Sequence, residues 1–236
     1  MDTLLLVIHF LGIISFSAAG AMVAIDHETD FFGVIFLSIV TCFGGGLLRD
    51  VIAGQSIGRE LPVLFTDMNV ELIISVVTAT LMFFLAFIFK KKYVEEEMAV
   101  DRINNVLDAL GIGVFSASGT AAYITAGPLV AITMGMLSSI GGSITRDIML
   151  RDIPFVLRKR IYAVAVLIGS GVYYLIATVI FPGQPSTDVV ATLSCVLVVF
   201  TIRMCATAFK WNMPKAIVFS ELKSVNSEKE ADHAKK

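Results

Sequence analysis

The sequence predicts an all-α integral membrane protein of seven transmembrane helices, built as two inverted three-helix repeats plus a seventh helix. Three observations predict it. Of 236 residues, 56% are hydrophobic and 16% charged, with a mean hydropathy of +0.84, whereas soluble domains carry about 25% charged residues. Several apolar runs approach the roughly 20 residues that cross a bilayer. Finally, TCFGGGLLRD at Thr41–Asp50 returns as SSIGGSITRD at Ser138–Asp147.

The seven spans fall at about 3–24, 31–48, 69–89, 104–123, 127–145, 161–181 and 188–208. Polar turns at Asp26–Asp30 and around Thr125–Pro128 are short, so the helices they join are antiparallel neighbours. A longer loop, Val51–Met68, contains Gly54, Gly58 and Pro62, and the turn before the last span contains Pro182, Gly183 and Pro185. The domain plan is a first repeat at 1–89, a charged linker at 90–103, a second repeat at 104–181, the seventh helix at 188–208 and a disordered polar tail at 220–236. No cleavable signal peptide is predicted, because no Lys or Arg precedes the first apolar run and that run exceeds a signal core.

Loop charge predicts the orientation. One side receives Arg49 and Arg59; the other receives Lys90, Lys91, Lys92, Arg102, Arg146, Arg151, Arg158, Lys159, Arg160 and the six lysines from Lys210 onward. The N-terminus is therefore expected outside and the C-terminus in the cytoplasm. The Arg158-Lys159-Arg160 cluster suits anionic lipid headgroups, and Trp211 beside Lys210 suits an interfacial anchor. A net charge of −2 without a basic stripe argues against nucleic acid. Cys42, Cys195 and Cys205 lie in apolar runs with no metal-ligand spacing, which predicts buried structural thiols and no metal site.

The repeat extends beyond the glycines. Leu11-Gly12 and Phe16-Ser17-Ala18 with Gly20 recur as Leu110-Gly111 and Phe115-Ser116-Ala117 with Gly119, a shift of 99, and the Gly and Arg-Asp motifs recur at a shift of 97. Leu61-Pro62 is echoed by Ile153-Pro154. Three helices per unit is an odd number, so the second unit enters the membrane from the opposite side. Inverted repeats place a transport site near the midplane, between the halves.

Glycine is unfavourable inside a helix by roughly 1 kcal/mol relative to Ala. The runs Gly44-Gly45-Gly46 and Gly141-Gly142-Ser143 are therefore read as places where a helix bends or unwinds and exposes carbonyl oxygens to a solute. Thr41, Ser138, Ser139, Ser143 and Thr145 add hydroxyls, and Arg49, Asp50, Arg146 and Asp147 stand at span ends as charged mouths or a gate. Close small-residue packing of helices is the competing reading. Weaker candidates are Ser17 and Ser116, which line the path or bond back to their own helices, and His9 with Asp108, which occupy matching repeat positions. No Walker lysine, HExxH or aspartate pair of protease type is present, so neither an enzyme nor a cofactor is expected.

GGGLLRDVIAG at Gly44–Gly54 and GGSITRDIMLRDIP at Gly141–Pro154 resemble the duplicated glycine-rich domain of the prokaryotic relatives of the trimeric intracellular cation channels. The resemblance covers roughly residues 3–208. It implies a homotrimer in the bacterial inner membrane, each protomer carrying its own pore for potassium and sodium ions. It also implies that the second and fifth helices are kinked at Gly44, Gly45, Gly46, Gly141 and Gly142, with Ser143 replacing a third glycine. Bacterial members are also described as glycine transporters, so a secondary transporter of glycine or another small amino acid is the alternative. Membrane lipids are the other expected partner.

Overall fold

The structure is a computed structural model that describes residues 3–53, 69–158, 161–182, 184 and 186–211. Arg59, the loop glycines Gly54 and Gly58, Pro62, Lys159, Arg160 and the polar tail lie outside the described residues, as does every part of the reading that rests on them.

The described residues are helical throughout apart from short connections. The long helices are α1 (Thr3–Asp26), α2 (Phe31–Ala53), α3 (Asn69–Ile88), α4 (Glu97–Ala122), α5 (Pro128–Met149), α6 (Tyr162–Leu175) and α7 (Thr187–Ala208). A π-helical turn, Ile176–Ile180, extends α6. Six of these helices are long and apolar enough to cross a membrane. The exception is α4, whose first half carries Glu97, Asp101, Arg102, Asn104, Asn105 and Asp108. Six of the seven expected spans thus qualify by length and apolarity, and α4 is a polar-ended seventh member of the bundle.

The stretch read as a charged linker is itself helical. Lys90–Glu95 forms a short helix, and α4 begins at Glu97 rather than near 104. Lys and Glu are good helix formers, and Lys92 pairs with Glu96 at 3.9 Å across one turn. Between α4 and α5 the chain makes a 3-10 turn at Ile124–Ala126. Gly127 then takes φ +95°, a left-handed backbone that glycine tolerates, and Pro128 opens α5 at its first turn, where a missing N–H costs nothing.

Helix pairings within residues 3–88 are repeated within 97–180: α1 packs on α2 and α3, α2 on α3, and likewise α4 on α5 and α6, α5 on α6. The two sets meet through α1 against α4 and α2 against α5, and α7 packs on α4 and α6. Phe16 and Phe115, which match in the sequence repeat, stack on each other with centroids 5.2 Å apart. The glycines before them make that approach possible: a Cβ on Gly12 would lie 2.6 Å from Val114 Cγ1, and one on Gly111 would strike the Phe16 ring.

Polarity is arranged for lipid. Large apolar side chains such as Phe32, Ile73, Phe87, Leu129 and Leu197 are exposed, whereas Ser17, Ser38, Thr41, Ser75, Ser116, Thr120, Ser139 and Ser170 are fully buried. Lipid gives apolar side chains no reason to turn inward, so small and hydroxyl residues take the helix contacts.

Candidate membrane pathway

The α2–α5 contact is the centre of the molecule. The helices run antiparallel: the Thr41 carbonyl faces Gly142, while Gly45 faces Gly141 and the Ser138 carbonyl. A Cβ on Gly45 would sit 2.8 Å from both the Leu137 oxygen and the Ser138 carbonyl carbon, and a Cβ on Gly142 would sit 2.9 Å from both the Val40 oxygen and the Thr41 carbonyl carbon. The glycine runs are thus reciprocal, each lying against the backbone of the other helix. Gly46 is the exception, its nearest neighbour for an added Cβ being Arg49 Nη2 at 3.9 Å.

This geometry corrects one expectation. The helices do not unwind at the glycines: α2 is continuous from Phe31 to Ala53 and α5 from Pro128 to Met149. The close backbone approach is what the missing side chains allow, and the carbonyls stay within their own helical ladders.

The hydroxyls beside the runs follow one rule. Thr41 Oγ1 donates to the Leu37 carbonyl (2.6 Å), Ser138 Oγ to Met134 (2.7 Å), Ser139 Oγ to Gly135 (2.9 Å) and Thr145 Oγ1 to Gly141 (2.8 Å). Each hydrogen is committed to the hydroxyl's own helix, which leaves only oxygen lone pairs to meet a further partner. Ser143 is buried one turn from Ser139, and its hydroxyl has no hydrogen-bond partner among the described residues.

Charged pairs close the two ends. Arg49 Nε donates to Asp50 Oδ1 at 2.8 Å and Arg146 Nε to Asp147 Oδ1 at 2.9 Å, each pair doubled by Nη2 at 2.7 Å. Arg49 also donates through Nη1 to Ser138 Oγ at 3.3 Å and sits 5.9 Å from the Tyr123 ring centroid. Asp147 additionally accepts from the Phe155 backbone N–H at 2.8 Å, which ties the segment after α5 back onto it.

Of the weaker candidates, Ser17 and Ser116 form matching bonds, Ser17 Oγ to Ser75 Oγ and Ser116 Oγ with Ser170 Oγ, both 2.8 Å. Each joins the first helix of a set to the third, so neither serine bonds back to its own helix. His9 and Asp108 have separate partners. His9 Nε2 lies 3.7 Å from Glu71, beside a 520 Å³ cavity that Asp188 and Tyr173 also border. Asp108 accepts from Tyr162 Oη (3.2 Å) and from Arg203 Nη2 (2.8 Å).

Arg203 is the residue that sequence reading passed over. It is 1% exposed, lies 4.1 Å from the Tyr162 ring centroid and joins α7 to α4. A lone arginine inside an apolar run was the available signal, since such a residue pairs or marks a function.

Comparison with known proteins bears on this geometry. A family model described as "Glycine transporter" matches residues 6–87 and 105–178. A UPF0126 membrane protein of Deinococcus radiodurans is 35% identical over 178 residues, 74% of this chain and 77% of that protein. The UPF0126 inner membrane protein YadS of Escherichia coli K12 is 32% identical over 201 residues, 84% of this chain and 89% of its own. Among solved structures, the trimeric intracellular cation (TRIC) channel orthologue from Rhodobacter sphaeroides is 27% identical with a TM-score of 0.73, covering 88% of this chain and 99% of that one. A prokaryotic TRIC channel in 0.5 M KCl is 25% identical with a TM-score of 0.73, covering 90% and 100%. The fold is that of the TRIC channels, and this is a membrane protein whose described residues are helical apart from short connections.

Proposed function

The chain belongs to the glycine transporter family of membrane proteins, and we propose that it is a monovalent-cation channel, with a pore in each protomer formed around α2 and α5 beside their glycine runs. The observation that carries this reading is the Arg49 contact with Ser138. A hydroxyl whose hydrogen is committed to its own helix offers only lone pairs, and an acceptor that holds a guanidinium is also suited to a potassium or sodium ion. Arg49, held by Asp50, then acts as a tethered cation, and an ion passes when the guanidinium releases the Ser138 oxygen while staying on Asp50. Likeness to cation channels at 25% and 27% identity supports the same reading.

The finer architecture belongs to the proposal. Seven membrane helices, α4 included, form two inverted three-helix units plus α7, supported by the recurring helix pairings. The N-terminus is outside and the C-terminus cytoplasmic in the bacterial inner membrane, supported by the loop charges. The protomers form a homotrimer, as the description of the R. sphaeroides orthologue indicates for that protein. Nothing in the charged pairs resembles a nucleophile with its base, so the protein is proposed as a non-enzyme.

Purified protein in a planar bilayer, with potassium on one side and sodium on the other, tests the channel. Unitary current steps reversing at a cation potential are the expected result. The family description favours a second reading, secondary transport of glycine or another small amino acid. A silent bilayer with saturable uptake of labelled glycine into vesicles would put that reading first.

A further inference from the structure

A cavity lies at the Asp108–Arg146 end of the bundle, its Arg146 wall one helical turn beyond Gly142 on α5. We infer that it is a binding site for a small zwitterionic α-amino acid of about glycine's size. The inference rests on the glycine reading of the family rather than on the channel reading.

Size is the first argument. The cavity is about 60 Å³. One water needs about 10–15 Å³ on this measure, so the space holds about four waters or one molecule of about five heavy atoms. Val23 and Phe155 form apolar walls and leave little room beyond an α-carbon. Leucine and larger amino acids are therefore excluded.

Charge is the second. Asp108 and Arg146 both line the cavity. The carboxylate of Asp108 accepts one bond at each oxygen, from Tyr162 and from Arg203, and a carboxylate offers about four lone-pair positions. Asn104 Oδ1, also on the wall, is buried with no hydrogen-bond partner. An unmet buried acceptor is costly, and an ammonium group placed between it and Asp108 satisfies both. Arg146 gives Nε and Nη2 to Asp147, which leaves the rest of its fork of five N–H groups for a carboxylate. An inorganic cation answers only the Asp108 side and an inorganic anion only the Arg146 side. A zwitterion answers both at once.

The test is calorimetric titration of glycine into the purified full chain in lipid nanodiscs, with parallel uptake of labelled glycine into vesicles. Expected are saturable glycine binding, at least tenfold weaker binding of leucine and of glycine betaine, and no competition by sodium chloride. Val23→Phe fills the cavity without touching a charge. Asn104→Leu removes the orphaned acceptor. Each should weaken glycine binding at least tenfold in protein that melts within a few degrees of the parent. Asp108→Asn is the less informative variant, because Asp108 also holds Arg203.

Folded parent protein that binds no glycine at tens of millimolar overturns the site, as does equal binding of betaine. Parent-like binding and uptake in Val23→Phe overturn the site while leaving glycine transport in place. Binding lost in Val23→Phe with no uptake by the parent upholds the site and removes transport.

Discussion

The bare α-carbon of Gly45 rests against the carbonyl of Ser138, so close that an added Cβ would lie 2.8 Å from the carbonyl carbon. Because Gly142 makes the same approach to Thr41, α2 and α5 hold each other by backbone rather than side chains.

Alanine at either position must therefore separate two helices. Gly45→Ala and Gly142→Ala are expected to destabilise the folded protein by about 1–3 kcal/mol, the usual cost of overpacking. They should also change unitary conductance. Gly46→Ala is the control: its added methyl meets only a flexible arginine tip at 3.9 Å, and better helix propensity favours it by up to about 1 kcal/mol. Thermal unfolding in detergent ranks the three. Equal losses at 45 and 46 would remove the contact from the account.

Arg203 and Asp108 form a buried ion pair between α7 and α4. Removing one partner leaves the other without its countercharge, Asp108 keeping only the Tyr162 hydroxyl, so Arg203→Met should cost about 3–5 kcal/mol, and Arg203→Met with Asp108→Asn much less than the two single losses together. A double-mutant cycle measures the coupling. Additive losses would mean that the pair does not hold α7.

Arg49→Gln removes the guanidinium from Ser138 while keeping a side chain of similar reach. If Arg49 is the tethered cation, open probability rises severalfold and cation selectivity is kept. Unchanged gating in single-channel records would separate Arg49 from the gate.

The bonds Ser17–Ser75 and Ser116–Ser170 occupy matching places in the two helix sets. Hydrogen bonds between membrane helices contribute about 0.6 kcal/mol on average, so Ser75→Ala and Ser170→Ala should each cost about that much, and their effects should add. Chemical unfolding checks both. A much larger loss at one position only would show that the sets are energetically unequal.

His9 and Asp108 show how far the chain's own pattern reaches. They stand at equal repeat positions, yet one faces Glu71 and the other Arg203. The repeat fixes where a helix position lies, and the third helix or α7 decides what meets it. Arg203 escaped notice for the same reason: its role depends on an aspartate 95 residues away.

The helical membrane class, the paired glycine runs and the Arg-Asp ends were legible in the sequence, because hydropathy, length and repetition are local or periodic signals. Tertiary structure alone decided that the glycines pack backbone to backbone instead of unwinding. An isolated helix gains nothing from glycine, whereas two helices meeting at that point gain close contact. The polar start of α4 likewise hid a helix that reaches back to Glu97, since hydropathy registers the apolar half while hydrogen bonding continues through the charged half. The cavity between Asp108 and Arg146 exists only once α4, α5 and α6 are packed together, so no stretch of the chain announces it.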